Sequence, residues 1–265
     1  VSVSLGSNAL STDLVRVVLD DGSTQVQSVD QASTNGAGSI SFTGLDASSL
    51  ADGTVLVRVV VTDAAGNSTN FVGSNATKDV VAPAGASSAR VASGGGNAID
   101  VINAGSVGAV AATVVLGAGS STTDVVRVVL DDGSTQVASA TQAGTNGSGS
   151  LTFSGIDSGA LADGPVAVRT EITDPAGNMT TFTGTPATKD TAAPAAATSA
   201  FIASGIQNPV GYVNAISQTQ VKARVVLDGT SLASDVLVAE LSDGSTTVKS
   251  SPMSGTTGAG TVDFV

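Results

Sequence analysis

Apolar and polar side chains alternate along several short stretches of the chain. In the stretch 164–173, Val166, Val168 and Ile172 fall on one face of an extended strand, whereas Arg169 and Glu171 fall on the other. A period of two is typical of a β-strand with one buried face. This stretch therefore predicts a half-buried antiparallel strand. The stretch 53–62 alternates in the same way at Val55, Val57, Val59 and Val61.

Further strand candidates are separated by turn signals. The candidates are 107–116, 124–131, 135–141, 149–155 and 180–185. Between them lie Asp-Asp-Gly, Thr-Asn-Gly and Asp-Pro-Ala-Gly-Asn, whose residue types favour tight turns. No segment carries apolar residues at the i, i+3, i+4, i+7 spacing, which excludes a helical bundle or a βαβ fold. About seven short strands in roughly 100 residues predict an all-β fold, an antiparallel two-sheet sandwich.

The same pattern recurs along the chain at a fixed spacing. The sequence DLVRVVLDDGSTQV at 13–26 reappears with one change at 124–137, an offset of 111 residues. A more diverged third copy keeps this offset and carries Asp-Gly-Ser-Thr at 243–246. A fixed period is the signature of tandem repeats. The chain is therefore predicted to be a linear array of β-sandwich domains.

The ends of the repeats are marked by Ala82-Pro83 and Ala193-Pro194, since proline after a small residue suits an extended joint. The predicted domains are 1–83, which lacks its N-terminal part, 84–194, which is complete, and 195–265, which lacks its C-terminal part. The chain is accordingly expected to be a segment of a longer array of repeats.

Each of the first two repeats closes with the same series of motifs. Leu-Ala-Asp-Gly precedes a valine-rich strand, and a turn of the form Asp-(Ala/Pro)-Ala-Gly-Asn follows it. Thr-Lys-Asp and Ala-Pro come next, so that the turn and the joint span 63–83 and 174–194. This series resembles the bacterial immunoglobulin-like (Big-type) tandem repeats of large secreted adhesins and related cell-surface proteins. The resemblance implies an exported array of Ig-like extender domains, with calcium stiffening the domain joints.

The composition excludes several kinds of chemistry. The chain of 265 residues contains no His, Cys or Trp, so it has no Ser-His-Asp triad, cysteine nucleophile, imidazole or thiolate metal site, or disulfide. A net charge of −12 argues against nucleic acid, which requires clustered Lys and Arg. No run approaches the roughly 18 apolar residues of a membrane span. The adjacent acids Asp131 and Asp132 would point to opposite strand faces, and we expect no enzyme.

Carboxylate and amide oxygens are the metal ligands left to this composition, and they suit calcium. The turn at 63–67 offers Asp63 and Asn67, but it is equally explained as a hairpin loop whose aspartate caps backbone amides. Asp79 lies at the joint, where the next repeat can complete a coordination shell. We therefore expect Ca²⁺ as a structural cofactor. The candidate ligands are Asp63, Asn67, Asp79, Asp100, Asp174, Asn178 and Asp190.

The repeat and the composition together indicate a structural role. We expect a stalk segment of an exported bacterial adhesin or biofilm protein, located outside the cell, whose partners are neighbouring Ig-like units of the same chain. The alternative is a self-assembling surface layer, sheath or extracellular filament, in which identical chains pack together or donate strands to one another. A carbohydrate-binding or spacer module of a secreted hydrolase is disfavoured, because sugar platforms need aromatic side chains and only 3% of the chain is aromatic.

Overall fold

The computed structural model describes residues 1–94, 96–205 and 207–265. These residues form β-strands and turns, and the predicted all-β fold is confirmed. The chain divides into two compact units, Val1–Lys189 and Asp190–Val265. The first unit contains the first repeat and almost all of the second. In the described residues, every pair of named strands lies within one of the ranges 1–83, 84–194 and 195–265, and the exact domain boundaries stay a prediction.

The first repeat contains two sheets. Its strands are β1 (Ser2–Leu5), β2 (Leu14–Asp20), β3 (Gln25–Gln27), β4 (Gln31–Ala32), β5 (Gly38–Ser41), β6 (Gly53–Thr62), β7 (Ser68–Val72) and β8 (Ala76–Lys78). Strands β1 and β5 form one sheet, and the other has the order β3-β2-β6-β7, with β4 on β2 and β8 on β6. The core between them contains Val3, Val15, Val17, Ile40, Phe42 and Val59.

The second repeat has the same plan with one further strand on each sheet. Its strands are β9 (Ala86–Val91), β10 (Val101–Ile102), β11 (Val110–Leu116), β12 (Val125–Asp131), β13 (Gln136–Ala138), β14 (Gln142–Ala143), β15 (Ser150–Ile156), β16 (Gly164–Thr173), β17 (Met179–Thr183) and β18 (Ala187–Lys189). One sheet has the order β15-β11-β9. The other has the order β10-β18-β16-β12-β13, with β14 on β12 and β17 on β16. Side chains of both sheets meet in one core, as a sandwich requires.

Strand β16 shows why the alternation predicted the fold correctly. It pairs antiparallel with β12, so that Val168 lies opposite Leu130 and Ile172 opposite Val126. All four side chains are fully buried. The charged residues of β16 point the other way, and Glu171 forms an ion pair with Arg127 at 2.6 Å.

The turns that connect these strands use glycine where the sequence predicted it. Gly133, Gly147 and Gly177 have φ angles of 92°, 81° and 93°. This left-handed region is readily accessible only to a residue without a Cβ atom. The three turn motifs therefore set the points at which the chain reverses.

The second compact unit, Asp190–Val265, has a smaller core. Its strands are β19 (Ser199–Ile202), β20 (Ala223–Leu227), β21 (Val236–Leu237), β22 (Glu240–Ser242), β23 (Thr247–Lys249), β24 (Met253–Ser254) and β25 (Gly260–Phe264). Strands β19, β20 and β25 form one sheet, and β21 pairs with β24 and β22 with β23. Phe42, Phe153 and Phe264 recur at the offset of 111, and all three are buried.

Two strand predictions differ from the structure. The stretch 107–116 becomes a strand only at Val110, because Val107 belongs to a turn in which its amide donates to Asn103 O at 2.9 Å. The stretch 135–141 is interrupted after Ala138, where the amide of Ser139 donates to Val128 O at 2.9 Å. No helix in the described part of the chain is long and apolar enough to cross a membrane.

Candidate functional site

The joint between the first two repeats brings together several of the predicted site residues. The linker, residues 79–85, runs from β8 to β9 inside the compact unit Val1–Lys189. It borders a groove of about 880 Å³ that is also lined by the loop before β12 and the turn after β16. Three aspartates line this groove: Asp79, Asp124 and Asp174. The joint is therefore the strongest candidate for a functional site.

The turn after β16 is closed by its own side chains. Asp174 Oδ1 accepts from the Asn178 amide at 2.9 Å, and Asp174 Oδ2 accepts from Asn178 Nδ2 at 2.8 Å. The hydrogen bond from the Asn178 side chain stabilises the charged carboxylate and lowers the pKa of Asp174 below its ordinary value. Both carboxylate oxygens are thus used within the turn.

The same turn and the strand after it also bind the linker. Asn178 Nδ2 donates to Asp79 O at 3.2 Å, and Thr180 Oγ1 donates to Pro83 O at 2.6 Å. Within the linker, Asp79 Oδ1 accepts from the Val81 amide at 3.1 Å. Two side chains of the second repeat therefore fix the segment that connects it to the first. We call the pair Asn178 and Thr180 the joint latch.

The equivalent turn of the first repeat has the same internal bonds, and in the described residues it binds no linker. Asp63 Oδ1 accepts from the amides of Ala65 and Asn67, and Asp63 Oδ2 accepts from Asn67 Nδ2 at 2.9 Å. The hydrogen bond from the Asn67 side chain lowers the pKa of Asp63 below its ordinary value. Asn67 and its neighbour Thr69 are exposed. The hairpin explanation accounts for every bond described at this turn.

The two remaining candidate ligands lie elsewhere. Asp100 has a φ angle of 59° and forms an ion pair with Arg90, and its backbone oxygen accepts from the Thr188 amide at 2.9 Å. Asp190 begins the second compact unit, where its Oδ1 accepts from the Ala192 amide at 3.1 Å. The carboxylate of Asp100 is therefore engaged by Arg90, and Asp190 belongs to the other compact unit.

The oxygen atoms of the joint do not fit a calcium shell as they are arranged. Calcium takes six to eight oxygen ligands at about 2.3–2.6 Å. The third acid of the groove, Asp124, is buried, and its Oδ2 accepts from the Ser121 amide at 2.8 Å. No group of three or more acidic side chains in residues 1–94, 96–205 and 207–265 is placed to hold a metal ion. Calcium binding by the seven residues stays a prediction, and the hydrogen bonds at this joint do not support it.

A second set of interactions, missed by the sequence analysis, ties each repeat to its own Leu-Ala-Asp-Gly motif. In the second repeat, Lys189 Nζ donates to Leu161 O at 2.8 Å and forms an ion pair with Asp163 at 2.9 Å. Asp132 Oδ2 accepts from the Ala162 amide at 2.7 Å. Together with bonds from Thr135 and Ser134, this contact lowers the pKa of Asp132 well below its usual range.

The first repeat forms the same set. Lys78 Nζ donates to Leu50 O at 2.7 Å, and Asp21 Oδ2 accepts from the Ala51 amide at 2.6 Å. The only sequence signal for these contacts was that all their residues recur together at the offset of 111. They show that Asp21 and Asp132 have a structural role in closing the sandwich.

Comparison with known proteins gave structural matches only. No family model matches the chain, and no curated protein matches it.

The solved structures that are similar to the chain include three adhesin structures. The first is a tetra-tandem repeat in the extending region of a large adhesion protein, at 20% identity and a TM-score of 0.31, covering 100% of this chain and 61% of that one. The second is a Ca²⁺-stabilized adhesin that helps an Antarctic bacterium reach out and bind ice, at 24% identity and a TM-score of 0.40, covering 99% and 60%.

The third concerns host cell surface retention of a 1.5-MDa bacterial ice-binding adhesin, at 24% identity and a TM-score of 0.30, covering 94% and 74%. The chain thus spans about three fifths of the length of the first two.

Proposed function

We propose that the chain is a structural extender, a stalk segment of an exported bacterial surface adhesin or biofilm protein that projects a binding module from the cell. The observation that carries this proposal is the joint between the first two repeats. Consecutive sandwich repeats of related sequence are connected by the short linker 79–85, and the following repeat binds that linker through Asn178 and Thr180. A fixed joint between repeated domains transmits force and maintains separation.

The engagement of the acidic side chains supports a structural role over a catalytic one. In the acid pair of the second repeat, Asp131 forms an ion pair with Arg169 at 3.2 Å, whereas Asp132 binds the Ala162 amide. The first repeat places its pair in the same way, with Asp20 on Arg58 and Asp21 on the Ala51 amide. The same acids serve the same closing contacts in both repeats, as expected for a unit copied for its shape.

Solution behaviour separates the stalk from the self-assembling alternative. We expect the 265-residue chain to sediment as a monomer over a wide concentration range. Electron microscopy of the same samples should show separate particles. Ordered sheets or filaments at moderate concentration would overturn the stalk proposal and favour a surface layer or filament.

A deletion in the producing bacterium tests the role itself. Removing residues 84–194 joins Pro83 to Ala195 and so preserves the Ala-Pro-Ala sequence of the joint. We expect the projection to shorten and attachment of cells to fall, while binding by the isolated terminal module stays unchanged. The matched control replaces 84–194 by a Gly/Ser linker of the same number of residues, which is flexible and spans a variable distance. Unchanged attachment in both strains would contradict the proposal.

A further inference from the structure

The side-chain amide of Asn178 lies between an oxygen of each repeat. Its Nδ2 is 2.8 Å from Asp174 Oδ2 of the second repeat and 3.2 Å from Asp79 O at the end of the first. An amide NH₂ group carries two hydrogens, and this arrangement uses both. The amide nitrogen therefore bridges a carboxylate and a backbone carbonyl, which is the task that a cation performs at a metal-bound joint.

Thr180 provides a second, independent contact further along the linker. Its hydroxyl donates to Pro83 O at 2.6 Å. Proline has no backbone N–H and its φ is fixed by the ring, so the carbonyl is the only polar backbone group through which Pro83 can be bound. The linker is thus bound near both of its ends by one repeat.

The linker is also fixed just before β9. Gly117 donates its amide to Gly85 O at 3.1 Å, and a Cβ atom at Gly119 would lie 3.1 Å from Ala84 Cβ. Close packing at this end restricts the same segment whose carbonyls bind Asn178 and Thr180. The linker therefore has little freedom to bend without breaking several contacts together.

We propose that the joint between the first two repeats is locked by Asn178 and Thr180 without a metal ion. The Asn178 amide takes the bridging position, and the carboxylate oxygens of Asp174 are already satisfied by hydrogen bonds. The stiffness of the joint is accordingly independent of calcium. This departs from the calcium-stiffened joints that the sequence resemblance implies, and it holds for the joint whether or not the array serves as a stalk.

The absence of cysteine from the chain allows a direct test with spin labels. Thr43 and Ser154 are exposed and occupy equivalent positions one repeat apart, so Thr43→Cys and Ser154→Cys place one label in each repeat of the full chain. Pulsed electron spin resonance then measures the distribution of distances across the joint. We expect a narrow distribution that is the same in chelator and in millimolar calcium.

Variants of the latch and of its equivalent in the first repeat complete the test. The pair Asn178→Ala and Thr180→Val should broaden the distribution under both conditions. The matched control is Asn67→Ala with Thr69→Val, which removes the same groups from the first repeat, where both side chains are exposed, and should leave the distribution unchanged. Thr180→Val alone leaves the Asp174–Asn178 turn intact and should give partial broadening, and thermal melts establish that each variant is folded.

Two results would overturn the proposal. One is a broad distribution of the parent chain in chelator that narrows when calcium is added. The other is a double latch variant, folded by its melting curve, whose distribution is as narrow as that of the parent. Monomeric sedimentation of the same samples keeps either result separate from a failure of the stalk proposal.

Discussion

Phe71 and Phe182 occupy equivalent positions in the first and second repeats, and yet their environments are opposite. Phe71 is 66% exposed, whereas Phe182 packs against the core of the second repeat. A valine of the neighbouring strand follows the same trend, since Val168 of β16 is fully buried and its equivalent Val57 of β6 is only half-buried. Equivalent strands of the two repeats therefore acquire a different burial according to what lies beside them.

The difference arises from β9. In the second repeat, the Thr185 amide donates to Ala89 O at 2.8 Å, so the chain after β17 contacts β9 directly. At the offset of 111, the position equivalent to β9 falls before residue 1 of the sequence, so in residues 1–83 the corresponding sheet consists of β1 and β5 alone. A sandwich of this size is completed by its outer strands as much as by its central pair, and each covering strand protects a set of otherwise half-exposed apolar residues.

The largest change in stability is expected on substitution of Gly184, the glycine that β9 approaches closely. A Cβ atom at Gly184 would overlap the backbone carbonyl of Ala89, whereas one at the equivalent Gly73 would lie 3.3 Å from Val57 O. Because backbone cannot move aside as a side chain can, we expect Gly184→Ala to lower the free energy of unfolding of the second repeat by about 3 kcal/mol.

The control is Gly73→Ala in the first repeat, which should change the unfolding free energy by no more than about 0.5 kcal/mol. Hydrogen exchange measured by mass spectrometry reads the two repeats separately through peptides from β16 and β6. Equal losses in the two variants would show that the approach of β9 does not distinguish the repeats.

A smaller effect is expected at a buried hydroxyl. Thr170 is fully buried, and within the described structure its Oγ1 has no hydrogen-bond partner. The equivalent residue of the first repeat is Val59, which is also buried. Because a buried polar atom without a partner costs free energy, Thr170→Val should raise the unfolding free energy of the second repeat by about 1 kcal/mol.

The reverse exchange sharpens this test. Val59→Thr introduces the same hydroxyl into the first repeat and should lower its unfolding free energy by about 1 kcal/mol. Denaturant unfolding followed by hydrogen exchange gives both values. A stabilising Val59→Thr would mean that the hydroxyl finds a backbone acceptor.

The smallest change in stability is expected for an acidic residue that makes the same contacts in both repeats. Hydrogen bonds from Ala162 and Ala51 lead the contacts that lower the pKa of Asp132 and of Asp21. The unfolded chain therefore binds these protons more readily, so their stabilisation is complete above the unfolded pKa of about 4 and is progressively lost below it. Asp132→Asn and Asp21→Asn should each flatten the acid side of the stability profile by a similar amount, as measured by melting temperature against pH.

The alternation of apolar residues and the turn motifs were sufficient to predict the sandwich and its turns, and the offset of 111 predicted the repeats. Strand β9 was not predicted, because its sequence, Ala-Ser-Ser-Ala-Arg-Val, has no alternation of large apolar side chains. Its burial depends instead on close approach, with Ala89 only 1% exposed. Small residues that pack against glycine do not produce an alternation of apolar and polar side chains in the sequence.

Only some of the contacts of the candidate site could be predicted from the sequence, because only some of them are local. The Asp-x-x-Gly-Asn turn predicted its internal bonds correctly, because those bonds join residues within one turn. The partners of Asn178 and Thr180 lie 99 and 97 residues earlier in the chain, and no local pattern indicates them. Residue type alone allowed both a metal ligand and a hydrogen-bond donor at Asn178.

That long separation gives the array a direction of assembly. The linker, residues 79–85, leaves the ribosome well before Asn178 and Thr180, so these two side chains can bind it only after most of the second repeat has been synthesised. During synthesis, the connection behind the first repeat therefore lacks these two contacts until the second repeat folds. The second repeat in this way completes its own connection to the first.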